Sequence, residues 1–178
     1  MASGKVHNRI NLSGTVLVLP LLYFYTSLSE PEILAFGGGA VFGSCFLSPD
    51  LDLKQSNSQR AWGGFRWLWY GYHRMFAHRK LSHMIVLGTL SRLLWLGLMA
   101  FLSLFSINLL YWLFQQPDLR GILQAQVVTG ELIREGTFWL HSNQPLAAGF
   151  FCGLIFSDTL HLISDLLFSL ARKWSLIR

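Results

Sequence analysis

Six histidines and nine acids are spread over the 178 residues, and those in unusual company fall into four short groups. His7 stands near the N-terminus. Asp50 and Asp52 follow Pro49, His78 and His83 flank Arg79-Lys80-Leu81-Ser82, and Asp158, His161 and Asp165 sit inside an apolar run. On a helix the last three are spaced i, i+3, i+7 and share one face, with His161 and Asp165 an i, i+4 pair able to grip one cation. His78 and His83 are five apart, about 140° around a helix, so they reach one centre only if His78 precedes the helix. Ser82 as N-cap would start that helix at His83. Asp50 and Asp52 place two carboxylates on one side of an extended turn. Imidazole with carboxylate and no thiolate suits a divalent transition metal, zinc or manganese first, and not calcium. Six or seven ligands exceed one tetrahedral ion. They would serve two ions about 3.5 to 4 Å apart, an arrangement that activates water against a phosphoester.

Each group also has a plainer reading. His7 is a solvated terminal residue, Asp50 or Asp52 caps the next element of the chain, and His78 beside Arg79 faces lipid headgroups. Two acids and an imidazole within an apolar helix are costly unless paired or metal-bound, so the rival there is a proton or ion pathway. His73 and His141 lack acidic company and read as interfacial or structural.

The elements that must position these groups are apolar. Half of the chain, 52%, is hydrophobic and 13% is charged, too greasy for an ordinary soluble domain. Leu93 to Phe114 holds no charge over 22 positions, roughly 33 Å of helix and enough for a bilayer core. Further apolar segments cover about 12–28, with Pro20 inside, 33–48, with Gly37-Gly38-Gly39 suited to close helix packing, and 145–168. The third segment extends over 84–114 and contains Arg92. The expectation is an all-α polytopic membrane protein, one domain over 1–178, with about four transmembrane helices and an interfacial amphipathic helix over Trp62 to Phe76.

With four spans, Lys5 and Arg9, six cations between 49 and 83, and Arg172, Lys173 and Arg178 fall on one side; the other holds Arg120 and Arg134 in the 115–144 loop. The positive-inside rule puts both termini and the 49–83 loop in the cytoplasm. All four His and Asp groups then arrive at the same edge, a convergence independent of the Lys and Arg that set the topology. The net charge of +5 calls for anionic lipid and not for nucleic acid. Cys45 and Cys152, far apart within apolar segments, make neither a disulfide framework nor a thiolate zinc site. No cleavable signal peptide is expected, because Ser-Glu-Pro-Glu comes directly after the first apolar run.

The order His7, Pro49-Asp50-x-Asp52, His78-Arg79-x-x-Ser82-His83, His161-x-x-x-Asp165 resembles a bacterial family of uncharacterised metal-binding membrane proteins related to inner-membrane metal-dependent hydrolases. The resemblance covers residues 1 to about 168. It implies a divalent metal site built by His7, Asp50, Asp52, His78, His83, His161 and Asp165, in a multi-pass protein of the bacterial inner membrane. Lys80 and Met84 stand where that pattern would carry glycine and a small residue. In a hydrolase of this kind Asp158 would orient His161 or act as general base, and Arg79 would hold an anionic group beside the metal. The alternatives are an ion that staples helices without catalysis and a small transporter; the 93–114 segment offers a transporter only Ser103, Ser106 and Asn108.

Overall fold

The computed structural model describes residues 4–53, 55–75 and 84–174. Among them all regular structure is helical: α1 (Gly4–Tyr25), α2 (Glu30–Cys45), α3 (Asn57–Ala61), α4 (Tyr70–Met75), α5 (Ile85–Gln115), α6 (Leu119–Ser142) and α7 (Gln144–Lys173), with 3-10 helices at Pro49–Asp52 and Gly63–Trp69. Two compact units divide the chain, Met1–Arg92 with Pro145–Arg178, and Leu93–Gln144.

Three stretches, Glu30–Asp52, Ile85–Gln115 and Gln144–Lys173, are long and apolar enough to cross a membrane. The first apolar segment, expected over 12–28, lies in α1 up to Tyr25, and the opening turns of that helix are polar with His7, Asn8, Arg9 and Asn11. The 115–144 stretch, expected as a loop between two apolar segments, is mostly the helix α6. Asp118 caps it by accepting from the Arg120 amide at 2.9 Å, and Arg134 pairs with Glu131 at 2.5 Å on its exposed side. Gly121, Ala125 and Thr129, one turn apart, are buried, and Gly121 lies against the Trp112 and Gln116 carbonyls. Hydropathy alone hides such a helix because its small residues, not large apolar ones, make the packed stripe.

In the first unit, α2 opens on a Ser29–Glu32 pair: the Glu32 carboxylate accepts from both the Ser29 amide and hydroxyl at 2.6 Å. Close packing of α2 on α7 rests on the absence of side chains. A Cβ on Gly39 would run into the Phe150 carbonyl, and one on Gly153 into the Phe36 carbonyl and the Ala40 amide. Because the obstacle is backbone on both sides, neither helix can yield by turning a rotamer. Gly153→Ala is expected to destabilise the fold by about 1–3 kcal/mol, whereas Gly38→Ala, which meets nothing, leaves it unchanged; thermal melts of the two variants check this.

The single interfacial helix expected over 62–76 is instead a 3-10 helix followed by the short α4, with Gly63 at φ 53° breaking the run at its start. Its residues divide between two surroundings. Phe65, Trp67 and Tyr70 are exposed, while Trp69, Tyr72 and His73 are buried. From the buried face, the His73 Nε2–H donates to the Leu51 carbonyl of the Pro49–Asp52 turn at 2.7 Å; at the start of the segment, the Trp62 indole N–H donates to the Phe46 carbonyl at 2.9 Å. His73 is thus structural. His73→Ala is expected to loosen this turn, visible as faster amide exchange around Leu51 with the helices unchanged.

Candidate metal centre

Three elements bring the site together. His7 comes from the first turns of α1, Asp50 from the 3-10 turn after α2, and His161 with Asp165 from successive turns of α7. The α1 face toward α7 is polar at one-turn intervals. The Asn11 amide donates to the Ser157 carbonyl and hydroxyl at 3.2 Å, Thr15 is buried one turn on, and Gly14 admits Leu160. Those contacts set the register that carries His7 to His161.

The imidazoles of His7 and His161 stack with centroids 4.1 Å apart and planes at 26°. Asp165 bridges them, Oδ1 at 3.2 Å from His7 Nε2 and Oδ2 at 3.7 Å from His161 Nε2. Asp50 Oδ1 lies 3.6 Å from His161 Nε2. One ligand atom from each of His7, His161 and Asp165 falls within 4.8 Å of the others, a spacing one ion can span. Both histidines are buried, whereas the side chains of Asp50 and Asp165 are 18% and 17% exposed, so the group is least buried on its acidic side. Burial pushes the His7 imidazole below its usual range, and the neighbouring His161 adds to that, against the opposing pull of Asp165 and Asp50. The ring is therefore biased toward the neutral form that binds metals. Neither ring nitrogen of His161 has a hydrogen-bond partner among the described residues.

Asp52 shares the turn with Asp50, and its carboxylate lies within electrostatic reach of the Tyr72 phenol. His78, Arg79 and His83, with the N-cap expected at Ser82, lie outside the described residues. Asp158 sits on the same face of α7 but is occupied differently from the expectation. Its Oδ2 is held by the Arg92 guanidinium and the Thr89 hydroxyl, both from α5, and not by His161. The guanidinium and the carboxylate carry opposite charges in the same apolar surroundings, so each lowers the cost of burying the other. Nearby, the Tyr72 hydroxyl meets Ser91 Oγ at 3.0 Å. Burial pushes this phenol up, as do Asp52 and Asp158, while the Ser91 bond and Arg92 oppose the rise.

Sequence reasoning missed Arg92 and Ser164. For Arg92 the signal was present: a lone cation in one apolar helix needs a carboxylate from another. Ser164 hydrogen-bonds His7, and a serine in a helix gives no such signal.

Residues 2–175 match the family described as uncharacterized metal-binding protein, DUF2227. The chain belongs to this family. The match takes in all of the His and Asp groups, and the metal binding in the family's description agrees with the geometry at His7, His161 and Asp165. A 63-residue stretch is 40% identical to an uncharacterized protein of Aquifex aeolicus (strain VF5), covering 35% of this chain and 45% of that protein, so the match spans a little under half of the relative's length. No solved structure matches.

Proposed function

We propose that the chain holds a divalent transition metal, zinc or manganese, at His7, His161, Asp165 and Asp50, and that it is a metal-dependent hydrolase of the cytoplasmic membrane. The observation that carries the metal is the set of separations around His161 Nε2. At 3.6 and 3.7 Å the two carboxylates are too far for hydrogen bonds. Ligand atoms held at about 2.1 Å from a tetrahedral ion stand roughly 3.4 Å apart, which is the spacing here and between His7 and Asp165. Two imidazole nitrogens facing two carboxylates across such gaps are arranged for a cation in the middle. Asp52, His78 and His83 would complete the set and admit a second ion.

The part-exposed aspartate side chains favour chemistry over a sealed structural ion, since a catalytic site keeps a coordination position for water. When bound, the metal would supply a nucleophilic hydroxide and polarise a phosphoester. The chain's own residues hold the site at the end of apolar helices, where a lipid-like or phosphorylated substrate would enter from the headgroup layer, and Arg79 would bind its anionic group. In this reading α2, α5 and α7 span the inner membrane, α1 contributes a fourth apolar segment, and both termini are cytoplasmic. The burial of both histidines favours the second reading, a structural ion that ties α1, the 49–52 turn and α7 together.

A panel of phosphoesters and detergent-solubilised lipids, assayed with manganese or zinc, separates the two. Turnover by the wild type that is lost in His161→Ala is expected; bound metal with no turnover across the panel would leave the structural ion. Cysteines placed at Ser56 and Ser142 should label from opposite sides of the membrane, and labelling from the same side contradicts the topology.

A further inference from the structure

The two ring nitrogens of His7 have different neighbours, and together they specify where its proton resides. Nε2 faces Asp165 Oδ1 at 3.2 Å, and Nδ1 lies 2.5 Å from Ser164 Oγ. The Ser164 hydroxyl in turn donates to the His161 backbone carbonyl at 2.7 Å. A hydroxyl has one proton and a carbonyl oxygen only accepts, so with its proton committed to His161 the serine oxygen must accept from His7. Nδ1 therefore carries the hydrogen, and in the neutral ring the lone pair is left on Nε2.

That lone pair points at a carboxylate. Two acceptors at this distance repel unless a cation lies between them, so the tautomer that Ser164 imposes is the one a metal ligand requires. We propose that Ser164 is the positioning residue of the metal centre: it fixes His7 as the Nδ1–H tautomer and holds Nε2 open toward the ion. The proposal rests on the metal reading for its consequence, while the tautomer is set by the hydrogen bonds alone. The local sequence makes the device compact. Ser164 is buried, three residues after His161 and one before Asp165, so a single turn of α7 carries two ligands together with the group that orients the third. Its bond back to the His161 carbonyl fixes the hydroxyl, so burial leaves it no solvent partner to turn toward.

The test uses the full chain in detergent, labelled with ¹⁵N-histidine, with the His7 signals assigned by their loss in His7→Gln. Metal-free wild type should show the Nδ1–H pattern, and zinc should then shift Nε2. Ser164→Ala should give a mixture of tautomers and bind zinc about 10–100-fold more weakly, the usual cost of losing an outer-shell partner, and Ser164→Thr should restore both. A His7 ring in the metal-free wild type that carries its proton on Nε2 and leaves Nδ1 bare would overturn the proposal, and this readout decides even if Ser164→Ala fails to fold. So would a Ser164→Ala variant with unchanged tautomer and affinity. The two readings fail in different ways. Zinc binding with the wrong tautomer removes the role of Ser164 alone, whereas an Nδ1–H ring in a protein that takes up no zinc removes the metal reading and the positioning role with it.

Discussion

His161→Ala combined with Asp165→Ala is expected to abolish metal binding. These two residues contribute His161 Nε2 and both oxygens of the carboxylate that reaches His7 and His161, so their removal takes away every contact among the three residues save His7 itself. The loss should exceed the roughly 10–100-fold cost of deleting an outer-shell partner, because two ligands are gone, among them the carboxylate that reaches both imidazoles. Isothermal titration with zinc, or competition against a chromophoric chelator, reads the change. Asp165→Asn alone should be milder, since it keeps an oxygen but removes the charge that offsets the cation. A double variant that still binds within tenfold of the wild type would place the ion elsewhere.

Arg92→Met is expected to be among the most destabilising single substitutions in the chain, at about 3–5 kcal/mol. Arg92 and Asp158 are both buried, and the guanidinium is bound directly to the carboxylate together with Thr89. Removing the cation leaves a carboxylate among apolar helices with only a hydroxyl to answer it. The expected signature is the rescue: Arg92→Met with Asp158→Leu should recover most of the loss, since a buried ion pair replaced by packed apolar side chains is often near neutral. Thermal melts of the single and double variants give the coupling directly. If Arg92→Met alone costs under about 1 kcal/mol, the pair does not hold α5 to α7. The same variants separate structure from site, because metal affinity in the double variant should remain close to wild type if Asp158 takes no part in binding.

Much of this arrangement could be read before any coordinates. The apolar segments over 33–48, 84–114 and 145–168 correspond closely to α2, α5 and α7, because uninterrupted hydrophobicity over that length leaves a short chain little besides a helix. Spacing of three and four residues put His161 and Asp165 on one face, and the positions of His7 and Asp50 at segment ends brought them to the same edge. The rest was hidden by physics that a linear pattern does not carry. Which carboxylate an isolated arginine selects depends on how α5 meets α7, so Asp158 read as a partner of His161 when Arg92 had the stronger claim. The segment after Trp62 read as one amphipathic helix because its mixture of aromatic and basic residues fits a headgroup layer, yet Trp69, Tyr72 and His73 are buried and His73 braces the turn that carries Asp50. α6 escaped notice because Gly121, Ala125 and Thr129 pack by being small. Ser164 could be found only from distances.

Whether imidazoles and carboxylates from α1, the 49–52 turn and α7 enclose a cation is tested most directly by elemental analysis of the purified full chain, washed free of loosely held ions. One or two zinc or manganese ions per chain, absent from the His161→Ala, Asp165→Ala variant, is the predicted result. A folded wild-type protein that carries no transition metal and takes none up on addition of zinc or manganese would contradict it.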